Sequence, residues 1–309
     1  MPIGRRQLLI VAASSPLLAC GSTRPDHAPD LREAPPEPKP EPAAAEPAAT
    51  TPKDPLERHV EALKSRYGAR GWTIVAEPPF AVVGDGTPLQ VKGHAAATIR
   101  WAVRHLEAAY FDKPPDEIIT IWLFESADAY ERYSEELVAD PPDTPYGYYS
   151  PTARALVMNI ATGGGTLVHE IVHPYMEANF PACPAWFNEG LASLYEQSAE
   201  RDGQIIGLTN WRLAGLQEAL RAGTVPSFRE LCESGDVFYT DDRGSNYAQA
   251  RYLCYWLQEQ GSLRRYYDSF RANAEKDPSG YATLSELVGP DMPAFRAKWE
   301  RFVLALRFE

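Results

Sequence analysis

The sequence predicts an α+β fold, with a mixed N-terminal lobe at about residues 55–200 and a mainly helical C-terminal lobe at about residues 201–309. Short β-rich runs alternate with amphipathic helices before residue 160, whereas the pattern after residue 210 is mainly helical. The chain has 309 residues, 44% of them hydrophobic, which is ample for a large core. We therefore expect one domain from residue 55 to 309, with the segment "HEIVH" on a helix where the lobes meet.

The elements of the N-terminal lobe follow from periodicity and from capping residues. "PLERHVEALKSRYGARG" predicts a helix that ends at glycine, and "WTIVAE" and "FAVVGD" predict two short strands. Apolar residues at helical spacing from Ile99 to Tyr110 predict a long amphipathic helix. "EIITIWLF" predicts a buried strand, and Ser126 is placed to cap the next helix. "GYYSPTARALVMNI" predicts a hairpin or strand pair, with "RALVMNI" as its second strand.

The C-terminal lobe shows helical periodicity in five segments. In the last of them, apolar residues from Phe295 to Leu306 recur on one face and form a stripe. Clefts between lobes are common places for active sites, so we expect the functional site near "HEIVH". The five helices are predicted at about 210–222, 227–233, 246–260, 262–273 and 291–307.

The first 54 residues are set apart from the fold. Residues 1–20 have a basic start and an apolar stretch too short to span a bilayer. Ending in "LLAC", they resemble a bacterial lipoprotein signal peptide, in which Cys20 would carry the lipid. An ordinary signal peptide with an incidental Cys20 is the alternative, and export by the Sec or the twin-arginine route stays open. Residues 21–54 are rich in Pro, Ala and Glu, which predicts a disordered tether.

These features predict a lipid-anchored protein of the bacterial cell envelope. By resemblance to lipoproteins, Gly21 favours the outer membrane, because an Asp there is usually linked to inner-membrane retention. The expected membrane contact is through the N-terminal lipid only. The formal net charge of −12, with no Lys/Arg run after the N-terminus, argues against nucleic acid as a partner.

Cysteine chemistry is an unpromising source of a metal site. Besides Cys20 the chain has Cys183, Cys232 and Cys254, and none of them forms a CxxC pair, which excludes a cysteine-rich zinc site. A disulfide between two of the three and three free thiols both fit the sequence.

The stretch "TLVHEIVH" carries the strongest chemical signal. His169 and His173 are four residues apart, so a helix places both imidazoles on one face, where they suit a Zn²⁺ ion. Glu170 lies about 100° from His169 around the helix, beside such an ion, where its carboxylate could accept a proton from water. The alternative is that the two histidines only line a polar helix face.

A third ligand is needed, and no histidine follows His173. Glu189 in "PAWFNEGLASLYE" is the best-placed carboxylate, on a second amphipathic helix in which Gly190 permits close approach to a neighbour. The loop "NFPACP" between the helices would reverse the chain and return Glu189 to the metal. A solvated Glu189 on a surface helix is the alternative.

"HEIVH" followed by "WFNEGLASLYE" resembles the gluzincins, metallopeptidases with two His and one Glu on zinc, and most closely the peptidase MA-like domain. "IITIWLFESADAY" and "GYYSPTARALVMN" are similar to its strand–helix and edge-strand segments, so the resemblance runs from about residue 115 to 270. It implies a zincin-like fold in which His169, His173 and Glu189 hold one Zn²⁺ per chain. It also implies Glu170 as the general base and a fourth metal position open to water.

The resemblance extends weakly to two further residues. Gluzincins usually supply a Tyr or His for the oxyanion, and Tyr247 resembles the Tyr that heads a helix in aminopeptidase-N-like relatives. A packing role for Tyr247 is the alternative. Ser193 stands where thermolysin-like relatives carry an Asp that orients a zinc histidine, which makes it a weak candidate for that task. Pro174, directly after His173, predicts a local kink.

The resulting hypothesis is a zinc-dependent peptidase that acts on a peptide or protein substrate. "ALVMNIA" lacks the glutamate that aminopeptidases use to bind a free amine, so an endopeptidase is expected. A zincin-fold lipoprotein with little or no activity, serving as a binding or scaffold protein, is the alternative, and a zinc hydrolase for a non-peptide amide also fits. The retained Glu170 favours an enzyme, and His59, His94 and His105 are expected to be structural or surface residues.

Overall fold

The computed structural model of the protein describes residues 54–139, 144–240 and 245–308. The predicted signal peptide, its Cys20 and all of the predicted tether except Asp54 lie outside these residues. Within the described ranges, no helix is both long enough and apolar enough to cross a bilayer.

A five-stranded mixed sheet forms the centre of the fold, in the strand order β1-β2-β3-β5-β4. The three inner strands are parallel, and the two outer strands run antiparallel to their neighbours. The predicted strand in "RALVMNI" is therefore an inner strand, and the edge belongs to its hairpin partner β4. The strands are β1 Thr73–Glu77, β2 Phe80–Gly84, β3 Ile119–Phe124, β4 Gly147–Ser150 and β5 Ala155–Asn159.

Helices cover both faces of this sheet and make up most of the chain after it. A π-helical segment, Ala95–Arg100, joins α2 to α3, so the amphipathic helix predicted from Ile99 to Tyr110 is part of a longer helical stretch. The helices are α1 Pro55–Tyr67, α2 Pro88–His94, α3 Trp101–Ala109, α4 Ala127–Val138, α5 Gly164–Asn179, α6 Ala185–Leu194, α7 Arg212–Ala222, α8 Phe228–Cys232, α9 Ser245–Glu259, α10 Leu263–Asn273, α11 Tyr281–Val288 and α12 Met292–Ala305.

Buried side chains alternate between the two faces of the sheet, which explains why helices cover both faces. On β2, Phe80 and Val82 belong to the large core shared with α3, α5, α6 and α9. Ala81 and Val83 point into a smaller core with α1 and α4. Because successive side chains of a strand face opposite sides, a sheet that is apolar on both faces must be covered on both. The α+β class predicted from the sequence is confirmed, while the division into two lobes near residue 200 stays a prediction.

Most predicted elements are present, and two differences have physical reasons. Ser126 caps α4, as predicted, by accepting from the backbone N–H of Ala129. The hairpin of β6 (Ser198–Arg201) and β7 (Gln204–Gly207) was not predicted, because β6 has no apolar alternation. The eight-residue α11 was missed because it is too short for clear periodicity.

Candidate metal centre

Helix α5 presents the two histidines and Glu170 from the interior of the fold. Val168, Ile171 and Val172 on this helix are buried in the large core, which anchors α5 beneath the site. A Cβ added at Gly165 would clash with the backbone oxygen of Glu196, so the first turn of α5 lies directly against the chain that follows α6. The helix runs on through Pro174 to Asn179.

Helix α6 brings Glu189 to the same point and is positioned by α9. A Cβ on Gly190 would lie 3.0 Å from the Ala250 backbone oxygen and 3.1 Å from Cys254 Sγ. The prediction that Gly190 permits a close helix contact is therefore confirmed, with α9 as the neighbour. Glu189, one residue earlier, is buried, with 7% of its surface exposed.

The nitrogen and oxygen atoms of these residues converge. His169 Nε2 lies 3.3 Å from Glu189 Oε2, and His173 Nε2 lies 4.0 Å from the same oxygen. Zinc bonds of about 2.0–2.1 Å in a tetrahedron separate donor atoms by roughly 3.3–3.4 Å. His169, Glu170 and His173 offer ligand atoms within 4.8 Å of one another, so they form a group that could hold a metal ion. Glu189 adds a carboxylate at a distance that suits coordination.

The charges at this point also suit a cation. Glu170 and Glu189 are buried, Glu196 is partly buried, and the Arg212 guanidinium pairs with Glu196. With neutral imidazoles and all three carboxylates ionised, one guanidinium leaves two excess negative charges, which a divalent ion would neutralise.

The pKa values of the site residues reflect both burial and the charges of their neighbours. Burial lowers the pKa of His169, but its contacts with Glu189 and Glu196 outweigh burial and raise that pKa to about 10. Burial raises the pKa of Glu170 to about 8. His173 is different, because burial lowers its pKa. A proton on His169 or a bound cation would therefore each offset the negative charge of the neighbouring carboxylates.

Each histidine has a partner behind it that points its Nε2 toward the centre. His173 Nδ1 lies 3.0 Å from the amide oxygen of Asn188, and His169 Nδ1 lies 3.3 Å from Glu196 Oε1. The second contact is close but poorly aligned for a hydrogen bond. Partners of this kind fix the tautomer and orientation of a ligating imidazole. Neither Asn188 nor Glu196 was predicted for this role.

Glu196 is itself held firmly. Arg212 Nη2 lies 2.7 Å from its Oε1, Arg212 Nε donates to Oε2 over 2.9 Å, and the Asn210 amide donates to Oε2 over 3.1 Å. Burial raises the pKa of Glu196, but the His169 and Arg212 contacts outweigh it and lower that pKa to about 2. The carboxylate therefore stays ionised beside His169.

Ser193, the residue predicted to orient a histidine, has a different environment. Its hydroxyl is fully buried and makes no hydrogen bond within the described part of the chain. Its backbone oxygen accepts from Arg251 Nε over 2.9 Å. The carboxylate beside His169 comes instead from Glu196, three residues further along the chain.

Tyr247 lies in the first turn of α9 and lines the cleft at the candidate metal centre. Its ring packs on Phe238 with centroids 4.9 Å apart, and the Arg212 guanidinium is 5.3 Å from its centroid. Burial, and next the charge of Glu189, raise the pKa of Tyr247. Its role toward an oxyanion stays a prediction.

A second tyrosine, Tyr239, faces the same centre and was missed. Burial raises the pKa of Tyr239 to about 12, helped by the charge of Glu189 and a hydrogen bond to it. Tyr239 lies in a short 3₁₀ segment, Gly235–Thr240. No motif marks it in the sequence, because only the tertiary fold brings this segment beside Glu189.

An open cleft of about 1120 Å³ leads to the metal centre. Its lining comes from the edge strand β4, the exposed side of α5, the loop after α5 and the segments that carry Trp211, Tyr239 and Tyr247. This volume is slightly above the usual range for small-molecule sites and is large enough for several residues of a peptide.

The remaining cysteines and histidines lie in other surroundings. Cys183, Cys232 and Cys254 are free thiols, which resolves the alternative that the sequence left open. His59 Nε2 lies 2.8 Å from Thr120 Oγ1, and His105 Nε2 lies 3.0 Å from Glu200 Oε2. These contacts agree with the structural roles expected of both histidines.

The sequence matches no protein-family model, and no curated protein is significantly similar to it.

Proposed function

We propose that the protein is a zinc-dependent peptidase of the gluzincin kind, with a zincin-like fold, and that it acts as an endopeptidase. One observation carries the proposal: His169, His173 and Glu189 converge at the floor of an open cleft with Glu170 beside them. Two imidazoles and one carboxylate are a catalytic zinc set, and the cleft leaves room for a water and a substrate carbonyl.

The proposed ligands are His169 Nε2, His173 Nε2 and the Glu189 carboxylate. Asn188 and Glu196 lie beside the Nδ1 atoms of the two imidazoles, where they would favour the tautomer that this requires. A Zn²⁺ ion bound there would supply Lewis acidity, which lowers the pKa of a water and polarises the scissile carbonyl.

Glu170 is the proposed general base and proton carrier. Its carboxylate oxygen lies 3.9 Å from His173 Nε2, close enough to share a water with the centre. Burial has the largest effect on the pKa of this carboxylate and raises it, and the nearby backbone N–H of Tyr149 on the edge strand partly opposes that rise. Glu170 would accept the proton of the attacking water and deliver it to the leaving amine.

The edge strand β4 supports a peptide as substrate. It pairs with β5 on one side only and lines the cleft beside the centre. An extended peptide can pair with such an edge through backbone hydrogen bonds. Because the cleft is open and the sequence lacks an aminopeptidase glutamate, a peptide could extend past the centre in both directions.

The competing hypothesis is a zincin-fold protein that binds partners without hydrolysis. Glu170 favours the enzyme, because the proposed three ligands would hold zinc without it. Burying a carboxylate costs free energy. Under the binding hypothesis Glu170 would have no role that offsets this cost, whereas in the enzyme it would transfer a proton.

The test combines metal content with peptide cleavage. The protein lacking residues 1–54 should contain about one zinc per chain, removable by a chelator. Glu170→Gln should keep the zinc and lose about 10²–10⁴-fold in peptide hydrolysis. The matched control is Glu218→Gln, an exposed residue of α7 outside the cleft, which should change neither property.

Elemental analysis and cleavage of a peptide library with mass-spectrometric detection measure both outcomes. A protein without zinc would overturn the proposal. Zinc without hydrolysis of any peptide would favour the binding protein, and hydrolysis of non-peptide amides alone would favour an amidase.

A further inference from the structure

Large apolar side chains are exposed mainly around one cleft. Six such residues are exposed in the described ranges, and three of them, Tyr146, Trp211 and Tyr239, line the cleft of the metal centre. Their exposed fractions are 48%, 58% and 52%. A fourth, Val237, lies two residues before Tyr239. Concentrated exposure of this kind marks a binding surface, whereas scattered exposure needs no explanation.

These three rings, the aromatic rim, come from separate elements. Tyr146 precedes β4, Trp211 precedes α7, and Tyr239 lies in the 3₁₀ segment Gly235–Thr240. Two of them have a side chain packed against the ring: the Arg212 guanidinium is 4.2 Å from the Trp211 centroid, and Phe238 packs on Tyr239 at 5.5 Å. Trp211 and Tyr239 are therefore supported while they offer apolar surface to the cleft.

The charged side chains of the cleft wall are already paired. Among the residues that the structure describes, and outside the candidate metal centre, the charged side chains that line the cleft are Glu177 and Arg212. Glu177 accepts from Tyr149 over 2.8 Å and pairs with Arg154 at 3.1 Å. Arg212 forms an ion pair with Glu196. Neither is free to select a charged substrate side chain.

The floor beyond the histidines is also apolar. Met176 and Phe180 from α5 and its end, followed by Pro181 and Cys183, line this part of the cleft. Aromatic and apolar side chains therefore make up a large part of the described surface left for a substrate, with the edge of β4 as its backbone partner.

We propose that the aromatic rim makes this cleft selective for polypeptide segments with large apolar or aromatic side chains beside the scissile bond. The inference rests on the proposed peptidase function. Tyr146 and Trp211 are specificity residues in it, and they touch the bound segment without taking part in the chemistry.

Binding can be measured without hydrolysis in the Glu170→Gln protein. The probes are fluorescent ten-residue peptides of Ala, Ser and Gly with one central residue varied among Phe, Leu, Ala, Lys and Glu, followed by fluorescence anisotropy. We expect the Phe and Leu peptides to bind about tenfold or more tightly than the Ala, Lys and Glu peptides.

Trp211→Ala and Tyr146→Ala, each made in the Glu170→Gln protein, should reduce the preference for Phe over Ala about tenfold, since aromatic anchors dominate such contacts. Leu89→Ala is the matched control: Leu89 is 84% exposed and lies outside the cleft, so its loss should not change the preference. Thermal melting of each variant confirms that it is folded.

The outcomes separate this inference from the proposed function. Equal binding of the Phe and Ala peptides, or tighter binding of a glycan fragment than of any peptide, would overturn the inference. If the Phe preference is present and depends on Trp211, but the wild-type protein cleaves none of these peptides, then the inference holds and the peptidase function fails.

Discussion

Helices α5 and α6 bring the proposed metal ligands to the same point but are held there in different ways. On α5 the spacing of His169 and His173 comes from the helix itself, and the helix lies on the core beneath the sheet. On α6 the place of Glu189 depends on contact with α9, through Gly190 and through Arg251. One half of the centre is therefore set by local periodicity and the other half by tertiary packing.

The position of α6 should be more sensitive to mutation than that of α5. Substitution of Arg251 should cause the largest loss of stability. This arginine is fully buried and donates to the backbone oxygens of Ser193, Leu194 and Leu208. It thus satisfies the C-terminal carbonyls of α6. Arg251→Met should lower the free energy of unfolding by about 3 kcal/mol or more, because several buried carbonyls lose their donor.

Urea denaturation measures this loss. The control is Arg301→Met, an exposed arginine on α12, which should change the free energy of unfolding by less than about 0.5 kcal/mol. If the two variants unfolded at the same urea concentration, Arg251 would not hold α6 in place.

The two histidines extend the comparison, because one has a charged partner and the other a neutral one. His169 lies against the ionised Glu196, and His173 against the Asn188 amide. Glu196→Gln should weaken zinc binding about 10–100-fold, since an outer carboxylate raises the basicity of a ligating imidazole. Asn188→Ala should have the smaller effect.

Competition with a chromophoric chelator gives the zinc dissociation constant of each variant. Circular dichroism at the same temperature shows whether the loss of the Glu196–Arg212 pair has unfolded the protein. Equal zinc affinities for the wild type and Glu196→Gln would contradict an orienting role for Glu196.

The contrast between the two helices also explains how much of the molecule the sequence could predict. The helix with His169 and His173, most strands and the Ser126 cap depend on local spacing, and they were predicted. Glu189 was predicted because the chain has no later histidine and because Gly190 follows it. Each of these signals lies within one element.

The partners from distant elements could not be predicted in that way. Glu196 approaches His169 only because the first turn of α5 lies against the chain after α6, at Gly165. Tyr239 and Arg212 face the centre from segments whose sequences carry no motif. Their positions are a property of the packed fold, which a single sequence does not display.

The smallest expected effect gives the sharpest test of the difference between the two helices. Two Gly→Ala substitutions should change the free energy of unfolding in opposite directions. At Gly190 a Cβ would meet the Ala250 backbone oxygen at 3.0 Å, and backbone cannot rotate away, so Gly190→Ala should destabilise the protein by about 1–3 kcal/mol. At Gly215, inside α7, a Cβ would meet nothing within 4 Å. Gly215→Ala should therefore stabilise by about 0.5–1 kcal/mol, through helix propensity. Urea denaturation of both variants gives the signs.

The zinc affinity of the same two variants tests whether the packing of α6 on α9 positions Glu189. Because Glu189 is adjacent to Gly190, separation of α6 from α9 in Gly190→Ala should also weaken zinc binding, whereas Gly215→Ala should leave it unchanged. If both glycines gave stabilising substitutions, the close approach of α6 and α9 would not be what positions Glu189. A destabilised Gly190→Ala protein with normal zinc affinity would show that α5 alone suffices to organise the centre.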